Sequence, residues 1–281
     1  MRSLKTMLKK FRIFLLLFLL VFIIALPIYA QIEKKGMILF YNPETNINNF
    51  ASVKAMFDKY LSEYGEYKFQ PFNKRKIFEN SVGKIDSSTL VIASSWHFRA
   101  LNKKFSMIPL LIATRDGKYT FRKILLVRKP ISTIEDIAGK TVASSSSKKY
   151  TLSLLREMFG EDKTELLSKI KILIVPKDID ALMSVSFGVA QAAITTETSL
   201  KQIEQVNPNL KEKLTWLLTS GEILMPVVSS RNKPNGNEII DELTKILVKM
   251  NTTESGRKKL AVLSMDGWRN ISPDIMEMLN K

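Results

Sequence analysis

Two short polar strings carry residue types suited to gripping a small charged ligand. In the first, Ser144, Ser145, Ser146 and Ser147 run together ahead of Lys148, Lys149 and Tyr150, after the strand-like Thr141–Ala143 and before a helical stretch. A helix N-terminus presents unpaired N–H groups and about half a positive charge, which suits a phosphate-like oxyanion. Serine hydroxyls add short donors there, and the lysines add charge. The plain alternative is a polar loop supplying one N-cap serine. In the second string, Ser94-Ser95-Trp96-His97-Phe98 follows the apolar run TLVIA, at the kind of strand edge where ligands of open α/β sheets gather. Trp96 can wall an apolar part of a ligand. His97 reads as a packed or surface histidine rather than a catalytic one. Tyr41, in the loop Tyr41-Asn42-Pro43-Glu44, can stack or donate a hydrogen bond, or simply close the rim of the core. Thr195 ends the run AAIT, and Thr196 follows it just before Glu197.

Other chemistries drop out. The 281 residues contain no cysteine and a single histidine, so disulfide frameworks, thiol catalysis and His-rich metal sites are not expected. No HExxH, GxSxG or GxxxxGK[ST] string occurs, and no serine has a histidine at a known spacing. Neither an enzyme nor a cofactor is expected.

The first thirty residues read as an address. Arg2, Lys5, Lys9, Lys10 and Arg12 form a basic head, an unbroken apolar run spans Ile13–Leu26, and Pro27 and Ala30 follow. That order describes a secretory signal peptide, with an uncleaved membrane anchor as the alternative. Either places the rest of the chain in a periplasmic or other extracytoplasmic space. Five of the 43 basic residues lie in the head, which leaves 38 against 27 acidic ones, a surplus of +11. Such a surplus favours anionic partners. Nucleic acid is not expected among them, because the cations are scattered and no recognition motif is present.

Several elements must position those strings. Met37–Tyr41, Thr89–Ala93, Lys171–Val175, Ala192–Thr195 and Leu224–Ser229 have strand character. Phe50, Val53, Phe57, Tyr60 and Leu61 share a helical face, as do Ile239, Ile240, Leu243, Ile246, Leu247 and Met250. The alternation argues for α/β layering. Asp116-Gly117 between IPLLIA and FRKILLV signals a hairpin. Ser132 and Glu135 have capping-box spacing, with Gly139 ending a short helix. Asn232, Pro234 and Gly236 mark a loop, and Ser272-Pro273 has the order of a helix start.

The order of these pieces resembles the phosphonate/phosphate-type periplasmic solute-binding proteins of ABC importers. The strings RDGKYTFRKILLVRK, ISTIEDIAGKTVA, GVAQAAITTETSLKQI, LMPVVSSRNKP and TESGRKKLAVLSMDGW carry the likeness, which runs from Gly36 to Ile271. The resemblance implies an α/β fold of the type II periplasmic-binding-protein class, a two-lobed clamshell with mixed sheets flanked by helices. Lobe I would take residues 31–122 plus 233–281 and lobe II residues 123–232, with crossings near Phe121–Lys123 and Ser230–Lys233. It implies capture of a small anionic ligand, phosphonate- or phosphate-like, for a membrane ABC permease by a monomer. The alternative is a sensory clamshell that partners a membrane kinase. The ligand residues it implies are Tyr41, Ser95, Trp96, His97, Ser145, Ser146, Ser147, Tyr150, Thr195 and Thr196. Ser146 and Ser147 match the first two positions of the family's serine-threonine-serine-glycine turn, whereas Lys148 and Lys149 depart from it. Ser95 and Phe98 stand where the family has a glycine-proline turn and a tyrosine. Thr195 stands where the family often has an acidic residue, which argues against an aminoalkyl-phosphonate.

Overall fold

The computed structural model describes residues 35–231 and 236–280. The expected export segment and the loop around Pro234 lie outside the described residues. Along the chain run β1 (Lys35–Tyr41), α1 (Phe50–Leu61), β2 (Glu66–Pro71), α2 (Arg75–Val82), β3 (Thr89–Ala93), α3 (Ser95–Phe105) and β4 (Ile108–Thr114). Next come β5 (Thr120–Phe121), β6 (Lys123–Arg128), β7 (Thr141–Ser144), α4 (Lys148–Phe159), α5 (Thr164–Lys169) and β8 (Lys171–Ile174). They are followed by α6 (Asp178–Ser186), β9 (Ala192–Thr196), α7 (Glu197–Val206), α8 (Asn209–Glu212), β10 (Leu214–Thr219), β11 (Ile223–Leu224) and β12 (Val227–Ser230). The chain closes with α9 (Glu238–Lys249), α10 (Glu254–Val262), β13 (Gly267–Asn270) and α11 (Pro273–Asn280).

Two mixed sheets result, each flanked by helices. The first has the order β13-β4-β12-β3-β1-β2 and the second β10-β6-β9-β7-β8. In the first, β1, β2 and β3 are parallel while β12, β4 and β13 join antiparallel. In the second, β7, β8 and β9 are parallel while β6 and β10 are antiparallel. The burial explains the composition of the inner strands. In β6, Ile124 and Leu126 enter the core on one face while Leu125 and Val127 enter the core on the other, so the run reads as continuously apolar rather than alternating. In α1, Val53, Phe57, Tyr60 and Leu61 are buried as their spacing predicts.

Three local expectations need correction. The turn at Asp116-Gly117 forms, with φ of 51° and 70° and an Arg115–Lys118 bridge. Yet β4 and β6 do not pair with one another; each joins a different sheet. The run LMPVVS is not one strand, because Pro226 lacks an N–H and splits it into β11 and β12. The ribbon β5–β11 accompanies the chain between the sheets, and β12 already belongs to the first. The return crossing therefore lies before Val227 rather than at Ser230–Lys233. Finally, Ser132 and Glu135 do not form a capping box. Asp136 accepts from the N–H groups of Ser132 and Thr133, and only a 3-10 turn over Glu135–Ile137 follows. No helix among the described residues is long and apolar enough to cross a membrane.

Candidate functional site

Five connections leave the carboxyl ends of parallel strands and meet at the seam between the sheets. They are the 3-10 turn Pro43–Thr45 after β1, α3 after β3, α4 after β7, α6 after β8 and α7 after β9. Parallel strands aim their helix N-termini the same way, which is why polar residues gather here. Direct contacts join the two sides. Asn46 donates to Ser199 Oγ at 3.0 Å and Gln202 Oε1 at 2.8 Å, and accepts from the Ile179 N–H at 3.0 Å. Lys177 Nζ donates to Asn48 at 2.6 Å, and Arg115 to Thr198 Oγ1 at 2.9 Å. The Trp96 ring stacks on Tyr150 with centroids 5.3 Å apart.

The serine turn is an ordered corner. Ser144, Ser145 and Ser146 are buried. Ser144 Oγ takes the Ser146 N–H at 3.2 Å and the Thr151 hydroxyl at 3.0 Å. Ser147 is the N-cap of α4, accepting the Tyr150 N–H at 3.2 Å. Ser145 Oγ donates to Asp178 Oδ1 at 3.1 Å. Lys148 and Lys149 are exposed, so neither lysine fills the seam.

Behind the turn sits a charged group that the sequence reading missed. Lys123 Nζ lies 2.7 Å from Asp178 Oδ1 and 3.0 Å from Glu44 Oε1, and all three side chains are buried. The Glu44 contact lacks the alignment of a hydrogen bond. Burial disfavours the Lys123 ammonium, but the two carboxylates outweigh it and hold the group above its ordinary range. Burial likewise works against the Asp178 carboxylate, yet Lys123 and the neighbouring hydroxyls hold that carboxyl below its ordinary range. At Glu44 burial wins over Lys123 and pushes the carboxyl up. Asp178 Oδ2 also accepts from Thr195 at 3.0 Å and Ser199 at 3.1 Å.

The aromatic side is built on the first sheet. Tyr41 stacks on Phe78 and meets His97 edge-on, while Trp96 stacks on His97 at 5.0 Å. His97 is buried and its Nε2 lies 2.9 Å from Glu79 Oε1, a contact that draws the Glu79 carboxyl down. Burial, followed by the charge of Glu44, raises the Tyr150 phenol. Ser95 donates to the Leu224 carbonyl at 2.8 Å and so ties α3 to β11. Ser94 Oγ, Trp96 Nε1 and His97 Nδ1 are buried without a hydrogen-bond partner.

The seam thus brings Trp96 and His97 together with Tyr41 and Tyr150, and Ser145 together with Thr195 through Asp178. Thr196 caps α7, accepting the Ser199 N–H at 3.2 Å. The residues missed are Glu44, Asn46, Lys123, Asp178 and Ser199. A lysine heading an apolar strand and an aspartate opening a helix are ordinary surface patterns, so no local signal marked them. Among the described residues no His, Asp and Glu cluster is arranged to hold a metal ion. A separate cavity of about 1090 Å³ runs along one face of β1 and β2, lined by Lys35, Met37, Lys68, Gln70 and Ile85 among others.

Comparison with known proteins bears on this arrangement. Residues 79–275 match the model of the family described as ABC transporter, phosphonate, periplasmic substrate-binding protein. No curated protein matches the sequence. Among solved structures, a binding protein component of an ABC phosphonate transporter from Pseudomonas aeruginosa is similar, with TM-score 0.69 and 14% identity, over 88% of this chain and 85% of that one. PhnD1 from Prochlorococcus marinus in complex with methylphosphonate gives TM-score 0.65 and 14% identity, over 88% and 97%. The periplasmic aliphatic sulphonate binding protein SsuA from Escherichia coli gives TM-score 0.55 and 14% identity, over 88% and 84%. The fold is therefore that of the type II periplasmic binding proteins. The sensory alternative gains no support from these likenesses.

Proposed function

The chain belongs to the periplasmic, phosphonate-type substrate-binding proteins of ABC transporters, and on that footing we propose that it captures a small phosphonate-like oxyanion at the turn Ser145–Ser147 for a membrane permease. In this reading the two bodies of the clamshell are residues 35–121 with 223–231 and 236–280, and residues 122–222. The N–H groups of the first turn of α4, the Ser146 hydroxyl and Trp96 Nε1 are the donors. Tyr150 and Trp96 wall the ligand's apolar end. Tyr41, Ser95, His97, Thr195 and Thr196 brace those groups from behind.

One observation supports this above the others. Trp96 Nε1 is buried without an acceptor on the ring that packs against the first turn of α4. A buried donor left unpaired costs about 1–3 kcal/mol. An oxyanion at a helix N-terminus supplies the acceptor and meets the favourable end of the helix dipole.

Isothermal titration with methylphosphonate, phosphite, phosphate and methanesulfonate tests the reading. Saturable one-to-one binding of methylphosphonate, weakened about tenfold or more by Ser146→Ala with no loss of thermal stability, is expected. Absence of both heat and thermal shift with every anion discards it. Preference for methanesulfonate replaces phosphonate with sulfonate as the ligand class.

A further inference from the structure

The end of the second sheet that faces away from the seam carries a row of cations. Lys213 precedes β10, Arg128 ends β6 with Lys129 after it, Lys140 precedes β7 and Lys171 starts β8. Backbone hydrogen bonds set them side by side. The Lys129 N–H donates to the Lys213 carbonyl at 3.0 Å, the Arg128 N–H to Gln191 at 2.9 Å, the Gln191 N–H to Thr141 at 2.9 Å and the Lys171 N–H to Lys140 at 2.9 Å. With neighbouring strands about 4.8 Å apart, the row is about 19 Å long. All five cations are exposed, and none is in an ion pair among the described residues. Glu212 adjoins Lys213 in the chain, and Asp136 feels the charge of Lys140; those two acids leave the cations in excess.

Apolar side chains project at the same end. Helices α6 and α7 both start at the seam, pack against each other and finish here. Phe187 and Val189 flank Gly188 in the turn after α6 and are 72% and 61% exposed, while Val206, the last residue of α7, is 80% exposed. The turn is pinned, with the Gly188 N–H donating to the Val185 carbonyl at 3.1 Å and the Val189 N–H to the Ser184 carbonyl at 2.9 Å. Arg128 reaches the same turn: its Nη1 lies 3.0 Å from where a Cβ on Gly188 would stand. Single exposed apolar residues are ordinary. Three at one end, set among unpaired cations, form a pattern.

We propose that this end of the second sheet docks on an anionic lipid surface, with Phe187, Val189 and Val206 entering the headgroup boundary and Arg128, Lys129, Lys140, Lys171 and Lys213 meeting lipid phosphates. Interfacial binding needs both parts, apolar side chains that leave water and cations that face anionic lipid. A periplasmic protein has such surfaces beside it. The docking end lies at the amino ends of β7, β8 and β9 and the seam at their carboxyl ends, so a docked molecule keeps its seam turned away from the lipid. The assignment does not depend on which anion the seam takes.

The chain has no cysteine, so Val206→Cys in the full-length protein accepts a single environment-sensitive fluorophore on this face, and Lys258→Cys on α10 accepts one elsewhere. Each labelled protein is mixed with vesicles of phosphatidylcholine alone or with about 30% phosphatidylglycerol. The first thirty residues meet both kinds of vesicle equally, and the fluorophore reports only its own surroundings. The probe at position 206 should shift to the blue with phosphatidylglycerol vesicles and not with phosphatidylcholine, and the shift should fade in about 0.5 M salt. Adding Phe187→Ser, Lys140→Glu and Lys171→Glu, all at exposed positions, should abolish it. An equal shift with both vesicles, an equal shift at position 258, or a shift retained in the multiple variant overturns the assignment. No shift with any vesicle overturns it too, and leaves an acidic protein surface as the partner for the same cations.

Discussion

Asp178 gathers the polar contacts of the seam, accepting from Lys123, Ser145, Thr195 and Ser199. Asp178→Asn leaves the Lys123 ammonium buried beside Glu44 alone, and should cost about 3–5 kcal/mol in urea unfolding. Glu44→Gln should cost less than Asp178→Asn, because burial works against the ionised form of the Glu44 carboxyl and its contact with Lys123 is the longer of the two. Their pH signatures run in opposite directions. Asp178 titrates below its ordinary range when folded. Its contribution is present above that ordinary range and is lost as pH falls through the lowered value. Glu44 titrates above its ordinary range. Its contribution is present below that range and is lost as pH rises through the raised value. Unfolding midpoints from about pH 3 to about pH 8 should therefore lose their acid-side slope in Asp178→Asn and their upper slope in Glu44→Gln. Ser145 and Thr195 stand out in the sequence as candidate ligand donors. Their hydroxyls turn instead to Asp178, and residue type alone does not say which acceptor a hydroxyl will meet.

At the scale of elements, the caps and close approaches carry the local order. Ser147 caps α4, and Ser147→Ala should cost about 1 kcal/mol of stability while also weakening anion binding; thermal melts with and without methylphosphonate separate the two. Gly256 lies in the first turn of α10, where Thr253 caps its N–H at 3.0 Å. A Cβ at Gly256 would overlap the Met250 carbonyl. Gly256→Ala should therefore lower stability by about 1–3 kcal/mol, read as a lower melting temperature, with ligand affinity retained. The helices with a clear apolar stripe, α1 and α9, were legible because 3.6-residue periodicity is a local property. The partners of β4, β6 and β12 were not. A turn signal specifies that the chain reverses, while the sheet that receives each strand is settled by distant neighbours.

For the molecule as a whole, the seam is held by protein-protein contacts: the Asn46 bonds to Ser199 and Gln202, the Lys177–Asn48 bond and the Trp96–Tyr150 stack. The described residues therefore stand in a closed arrangement. Removing three of these four ties in an Asn46→Ala, Trp96→Ala double variant should shift the population toward an open form. Small-angle scattering of the double variant should give a larger radius of gyration than the wild type. An unchanged radius would mean that the remaining contacts suffice for closure.

The apolar periodicities and the punctuation between them settled on their own that this is a layered α/β protein with serines and aromatics placed after strands, while the substrate-binding class came from the likeness to that family. Periodicity and punctuation are properties of neighbours in the chain. Only the tertiary structure decided that Glu44, Lys123 and Asp178 meet. Their side chains come from separate turns and strands, and charged residues taken singly look like solvated surface until folding removes the water between them.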